Sequence, residues 1–120
     1  MLLGVDDVVS ALLDPIGEPR DGITVTGGEP FLQPKGLLAL LQRLKARGVH
    51  VVVYTGFTLE ALVGRLEPEI REVLQLTDIL VDGPFVARLA DGAGEWRGSR
   101  NQRVIDMAAT RRCGHIVLLA

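Results

Sequence analysis

Residues 23–34 read Ile-Thr-Val-Thr-Gly-Gly-Glu-Pro-Phe-Leu-Gln-Pro, and this stretch decides how the chain folds. The apolar and β-branched run at residues 23–26 predicts a short buried strand. Gly27 and Gly28 end that strand, because adjacent glycines allow positive φ and a close approach of the backbone to a ligand. Glu29 then places a carboxylate at the carboxyl end of the strand, where ligands bind in open α/β sheets. We therefore predict a strand, a binding turn and a following helix.

Two further strands end in the same way, and they favour a site over a plain strand-to-helix turn with a solvated Glu29. Residues 49–54 form a β-branched run that ends at Thr55, and residues 79–81 form a third run that ends at Asp82. Glycine follows in both cases. Strands that alternate with helices predict a parallel sheet, in which all three turns lie at one edge. Such convergence is typical of a binding site.

The remaining segments complete an α/β domain. Apolar spacing predicts helices over residues 5–12, 37–44, 59–66, 68–76 and 101–112, and a fourth strand over residues 116–119. Residues 85–98 are predicted to be irregular. A chain of 120 residues suits one domain. The fold prediction is therefore a single α/β domain, residues 1–120, with about four parallel strands.

Composition and charge exclude several function classes. The formal net charge of −2 argues against nucleic acid as the main partner. No apolar run approaches the roughly 20 residues that span a bilayer, so we expect no membrane segment. The N-terminus carries no secretory signal, which favours the cytoplasm. Cys113 is the only cysteine and supplies at most one metal ligand, so we expect no metal site.

Four motifs, in this order and spacing, resemble one enzyme family. Thr-Gly-Gly-Glu-Pro-Phe-Leu-Gln at residues 26–33 resembles the Gly-Gly-Glu-Pro motif of radical S-adenosylmethionine enzymes. Two further motifs are similar to those of the branch that activates anaerobic ribonucleoside-triphosphate reductase. They are Val-Tyr-Thr-Gly-Phe at residues 53–57 and Leu-Val-Asp-Gly-Pro-Phe at residues 80–85. Arg-Gly-Ser-Arg-Asn-Gln-Arg-Val-Ile at residues 97–105 is the most specific to that branch. A phosphate-binding α/β fold is disfavoured, because Glu29 would repel an anion.

This resemblance implies a partial (β/α) barrel in which a 4Fe-4S cluster reduces S-adenosylmethionine to methionine and a 5′-deoxyadenosyl radical. That radical takes a hydrogen atom from a glycine on the large subunit of the reductase, a glycyl-radical enzyme. The Glu29 carboxylate suits the ammonium group of the methionine moiety. By position, the resemblance implies that the cofactor is bound by Gly27, Gly28, Glu29, Pro30, Tyr54, Thr55, Gly56 and Asp82. It also implies that Asn101, Gln102 and Arg103 bind the partner protein. The alternative interpretation of these three residues is the capped start of a helix.

The chain departs from this family at the cluster. The family holds its cluster with a Cys-x-x-x-Cys-x-x-Cys loop before the first helix, whereas this chain has Cys113 alone. Because iron–sulfur clusters are held by thiolates, we expect this polypeptide neither to hold the cluster nor to cleave S-adenosylmethionine. We therefore interpret it as an N-terminally truncated family member in which the first strand and the cluster loop are missing.

Several alternatives stay open at this point. The native protein either extends upstream of Met1, which we favour, or is a short binding module of the same fold without catalysis. Activation of another glycyl-radical enzyme, such as pyruvate formate-lyase, is a further alternative. The missing first strand would leave residues 23–26 as an unpaired apolar edge, which predicts a homodimer.

Overall fold

Three of the four strands form where the β-branched runs predicted them. The computed structural model describes residues 22–26, 28–94 and 96–119, so Gly27 and the helix predicted over residues 5–12 lie outside the described residues. The strands are β1 (Gly22–Val25), β2 (His50–Tyr54), β3 (Ile79–Asp82) and β4 (Arg103–Asp106). The helices are α1 (Pro34–Ala46), α2 (Leu59–Val63), α3 (Pro68–Leu76) and α4 (Met107–Cys113), and short 3-10 turns cover Pro30–Leu32 and Ala87–Leu89.

The strands form one sheet in the order β1-β2-β3-β4. β1 pairs with β2 in parallel, with Ile23 opposite Val51, and β2 pairs with β3 in parallel, with Val53 opposite Leu80. β4 pairs with β3 in the antiparallel direction. The predicted α/β fold is therefore confirmed, and it is compatible with a partial barrel of the radical S-adenosylmethionine type. All four strands were predicted to be parallel, whereas β4 is antiparallel, so the sheet is only mostly parallel.

The fourth strand is not the segment that the sequence predicted. Residues 103–106, predicted to be helical, form β4, and the helix begins only at Met107. The Asp106 side chain caps that helix by accepting a hydrogen bond from the Ala109 N–H at 2.9 Å. Residues 116–119 are no parallel strand, because Leu118 makes a single antiparallel bridge with Ile105. A strand of four residues is too short to show an alternation of apolar and polar side chains. The sequence pattern around Val104 and Ile105 therefore does not distinguish this strand from the helix that follows it.

The two faces of the sheet are buried to different extents. Side chains alternate along β2, so that Val51 and Val53 join the larger core under the helices, whereas Val52 joins a small cluster on the other face. The larger core includes Leu41 and Leu44 of α1 together with other buried residues of the helices, such as Leu62, Ile70 and Val73. Within the part of the chain that the structure describes, no helix is both long and apolar enough to cross a bilayer.

Candidate functional site

The carboxyl ends of β1, β2 and β3 meet at one edge of the sheet, which we call the carboxyl edge. A cavity of about 310 Å³ opens there, and we call it the edge cavity. Its lining comes from the end of β2, from the turns after β1 and β2, and from the segment between β3 and β4. Its lining residues are Thr26, Gly28, Tyr54, Thr55, Gly56, Gly83, Phe85, Gly98 and Gln102.

Glu29 links the turn after β1 to the turn after β2. Its Oε2 accepts a hydrogen bond from the Phe31 N–H at 3.0 Å, and its Oε1 accepts one from the Gly56 N–H at 2.7 Å. The Thr55 hydroxyl lies 3.0 Å from both carboxylate oxygens, but its single proton serves one oxygen at a time. A carboxylate has about four lone-pair positions, so the three donors found among the described residues leave one position for a ligand.

Local sequence explains why Glu29 reaches this place. Gly28 has a φ of 49°, which turns the chain out of β1. Pro30 then opens a 3-10 turn whose Phe31 is buried and anchors the loop.

A second cavity of about 410 Å³ lies beside the first, and Thr26 and Gly28 line both. Glu29 and Pro30 line only this second cavity, so the predicted cofactor residues border two adjoining spaces.

Asp82 ends β3 at the same edge but is only 1% exposed. Its Oδ1 accepts a hydrogen bond from Nε of Arg103 at 2.9 Å, and its Oδ2 binds Nη2 of the same side chain. Oδ2 also accepts a bond from the Leu59 N–H at 2.7 Å. The carboxylate therefore holds α2 and β4 to β3 beneath the cavity. Its predicted contact with a cofactor stays a prediction.

Arg103 completes an ion-pair chain that runs from Asp82 to the surface. Its Nη2 lies 2.6 Å from Oε1 of Glu60, whose side chain is 65% exposed. The hydrogen bonds that Arg103 donates to Asp82 and, to a smaller extent, to Glu60 raise its pKa above the ordinary value. The same bond from Arg103 lowers the pKa of Glu60. The contacts of Arg103 with Asp82 and Glu60 therefore stabilise the fold, and its predicted contact with a partner stays a prediction.

Asn101 and Gln102 also bind their own chain. Asn101 Nδ2 donates to the Pro84 carbonyl at 2.7 Å. Gln102 is nearly buried, and its Nε2 donates to the Gly83 carbonyl at 2.9 Å. Asn101 lies in a turn rather than at a helix start, which corrects the alternative considered from the sequence. A partner-binding role for these residues is an untested prediction.

Tyr54 ties β2 to the segment before β4. Its hydroxyl donates a hydrogen bond to the Trp96 carbonyl, and burial raises the pKa of the phenol. Phe85 and Gly98 also line the cavity, and neither is predicted from the sequence to do so. The signal that could have found Phe85 is its position directly after the Gly83-Pro84 turn that ends a strand.

Comparison with known proteins identifies relatives along most of the chain. Residues 5–105 match a family model described as the 4Fe-4S single cluster domain. The anaerobic ribonucleoside-triphosphate reductase-activating protein of Salmonella typhi is 39% identical over 105 residues, which cover 83% of this chain and 65% of that protein. The protein of the same name from Escherichia coli (strain K12) is 40% identical over 90 residues, which cover 71% and 55%. The chain therefore spans between about half and two thirds of the length of these relatives.

A shorter match carries a different name. The isethionate sulfite-lyase activating enzyme of Nitratidesulfovibrio vulgaris is 44% identical over 54 residues, which cover 42% of this chain and 18% of that enzyme. The resemblance inferred from the four motifs is thus confirmed at the level of the family.

Proposed function

We propose a function from one premise: this chain belongs to the 4Fe-4S single cluster domain family. The proposal is that it provides the S-adenosylmethionine-binding edge of an activator of anaerobic ribonucleoside-triphosphate reductase. The relatives that match most of the chain carry the name of that activator. In such an activator, S-adenosylmethionine supplies the radical that takes a hydrogen atom from the reductase.

The state of Glu29 is the observation that carries this proposal. Within the described part of the chain, its donors are two backbone N–H groups and one hydroxyl, and none of these three neutralises its negative charge. One acceptor position is left for an ammonium group, for which a charge-assisted hydrogen bond is favourable. Glu29 lines the second cavity of about 410 Å³, which shares Thr26 and Gly28 with the edge cavity of about 310 Å³, and both volumes are within the size range of small-molecule sites. Gly28, Glu29, Pro30, Tyr54, Thr55 and Gly56 are the residues that we propose to hold the cofactor.

The donor set of these 120 residues does not fit a 4Fe-4S cluster. Clusters of this kind are held by several thiolates, and Cys113 is the only cysteine in the sequence. It is exposed at the end of α4. Among the residues that the structure describes, no three His, Cys, Asp or Glu side chains are grouped to hold a metal ion. This mismatch favours a second candidate function, a binding module of the same fold that does not catalyse.

The proposed partner is the large subunit of the anaerobic reductase, approached at the carboxyl edge, and the proposed compartment is the cytoplasm. β1 is a border strand of the sheet as described, so pairing of two chains through β1 is also proposed. Sedimentation at high protein concentration tests this pairing, and a single monomeric species would contradict it.

Binding of S-adenosylmethionine to the purified chain tests the proposal directly. Saturation-transfer NMR and calorimetry should detect binding to the wild type and a loss of binding in the Glu29→Gln variant. Glu72→Gln, which changes an exposed carboxylate on α3, is the matched control and should bind as the wild type does. A folded wild type without binding would contradict the proposal.

Anaerobic incubation separates the two candidate functions. The chain is supplied with iron, sulfide, a strong reductant and S-adenosylmethionine, and 5′-deoxyadenosine is measured. Binding without 5′-deoxyadenosine favours the non-catalytic module, whereas its release would show that the chain carries the complete chemistry.

A further inference from the structure

One side of the edge cavity is built by residues that the proposed cofactor set does not include. Phe85, Gly98 and Gln102 line the cavity together with the turn after β2, and we call these three residues the loop wall. They come from the segment that connects β3 to β4, which contains the motif at residues 97–105. This motif therefore contributes to the cavity, although the side chains of Asn101, Gln102 and Arg103 bind the chain itself.

Gln102 holds the loop wall to the end of β3. Its Oε1 accepts hydrogen bonds from the Gly98 N–H at 2.8 Å and the Ser99 N–H at 3.2 Å. Its Nε2 donates to the Gly83 carbonyl at 2.9 Å. One nearly buried amide thus joins two backbone segments that are fifteen or more positions apart in the sequence.

The Phe85 ring rests on the backbone that Gln102 holds. A Cβ atom added to Gly98 would lie 3.0 Å from Cδ2 and 3.3 Å from Cε2 of that ring. The ring therefore occupies the space that a side chain at position 98 would need. Phe85 is nevertheless 61% exposed, so the ring presents a large apolar surface at the cavity.

We propose that Gln102 is a positioning residue that fixes the Phe85 ring as the apolar wall of the edge cavity. The ring contacts the planar base of the bound nucleoside, and Gln102 acts through the ring without touching the ligand. Bases stack on aromatic side chains in sites of many kinds. This inference rests on the proposed function, in which the edge cavity binds S-adenosylmethionine.

A double-mutant cycle on the full chain tests the inference. Phe85→Leu removes the aromatic face, and Gln102→Met keeps the length of the side chain but removes both hydrogen-bonding groups. The affinity for S-adenosylmethionine is measured by calorimetry for the wild type, each single variant and the double variant. Gln42→Met, on the exposed side of α1, is the matched control for Gln102.

Phe85→Leu should bind S-adenosylmethionine about tenfold more weakly, because it loses the stacking of the base on an aromatic ring. Gln102→Met should lose about as much, because the ring is then no longer held in the position where it stacks. The double variant should bind no more weakly than Phe85→Leu alone, since the two residues form one unit. Gln42→Met should bind as the wild type does. A purely structural role of Gln102 would not produce this dependence on Phe85.

Two results would overturn the inference while the proposed function stands. Either Gln102→Met binds with the affinity of the wild type, or the losses of the two single variants multiply in the double variant. If the wild type itself does not bind, the proposed function fails instead. Gln102→Glu, which keeps the acceptor for the Gly98 and Ser99 amides, replaces Gln102→Met if thermal unfolding shows that the latter is not folded.

Discussion

Two carboxylates follow parallel strands at the same edge of the sheet, and their surroundings differ completely. Asp82 is 1% exposed and is bound by a guanidinium and a backbone N–H. Glu29 is half-buried, and its three donors carry no charge. Position in the sheet brings both groups to the carboxyl edge, but the neighbouring residues decide that Asp82 stabilises the fold and that Glu29 can attract a cation.

The antiparallel β4 is the cause of this difference. Its register places Arg103 directly opposite Asp82, so the charge of Asp82 is compensated inside the protein. Glu29 follows β1, which lies at the opposite side of the sheet from β4. Its carboxylate accepts hydrogen bonds from the Thr55 hydroxyl and the Gly56 N–H in the turn after β2. An uncompensated carboxylate attracts a nearby cation over several ångströms, whereas a paired one does so far less.

Removing the charge of Asp82 should have the largest effect on stability. Asp82→Asn leaves Arg103 without its buried partner and weakens the hydrogen bond to the Leu59 N–H. We expect the free energy of unfolding to fall by about 2–3 kcal/mol, somewhat less than the loss of one partner costs in a fully buried ion pair, because Arg103 is partly exposed. Urea denaturation measures this loss. A fall below about 0.5 kcal/mol, the range of surface substitutions, would contradict the structural role of Asp82.

Glu29→Gln should cost less stability, although it abolishes the proposed binding. The amide keeps one acceptor oxygen but places an NH₂ group near donors that need an acceptor. We expect a loss of about 1 kcal/mol, the usual value for one hydrogen bond. Urea denaturation under the same conditions as for Asp82→Asn makes the comparison direct. A loss as large as that of Asp82→Asn would show that Glu29, too, mainly serves the fold.

The sequence allowed the strands and turns of this edge to be predicted, but not the pairing that separates the two carboxylates. β-branched runs and glycine turns are local signals, and they placed Glu29 and Asp82 correctly at strand ends. Nothing local indicates that Arg103 lies opposite Asp82, because the two are twenty-one positions apart and β4 carries only four residues. The Asp106 cap was the one local signal for the true start of α4.

The contacts of the loop wall were equally hidden from the sequence. The motif at residues 97–105 is recognised by resemblance, which implies that Asn101, Gln102 and Arg103 bind a partner, with a capped helix start as the alternative. The structure shows in addition that Gln102 binds Gly83, Gly98 and Ser99 of the same chain. Such contacts depend on how the loop closes, which neither periodicity nor turn propensity specifies.

A third carboxylate, at the opposite edge of the sheet, should show the behaviour of a paired group in its pH dependence. Asp78 precedes β3, and its Oδ2 lies 2.6 Å from Lys45 Nζ and 2.8 Å from the Val51 nitrogen. Burial acts to raise the pKa of Asp78, but the bonds from Lys45 and Val51 outweigh it, so the pKa lies below its ordinary value of 3.8.

A lowered pKa in the folded state means that the unfolded chain binds the proton more tightly. The stabilisation by Asp78 is therefore fully present above about pH 5 and is lost as the pH falls through 3.8 and below. Asp78→Asn should lower the free energy of unfolding by about 1 kcal/mol at pH 7 and make no difference at the acidic limit. Urea titrations at several pH values measure this, and a constant difference between variant and wild type would contradict it.

Glu60→Gln should have the smallest effect, and it completes the comparison along the Asp82–Arg103–Glu60 chain. Glu60 binds the same guanidinium as Asp82 does, yet its side chain is 65% exposed. Solvent and salt screen such a pair, so we expect a loss of no more than about 0.5 kcal/mol, and less in high salt. Urea denaturation at two salt concentrations measures it. If Glu60→Gln cost as much as Asp82→Asn, the position of Arg103 would depend equally on the surface carboxylate. The pairing of Arg103 with Asp82 would then not be enough to explain why Asp82, unlike Glu29, stabilises the fold.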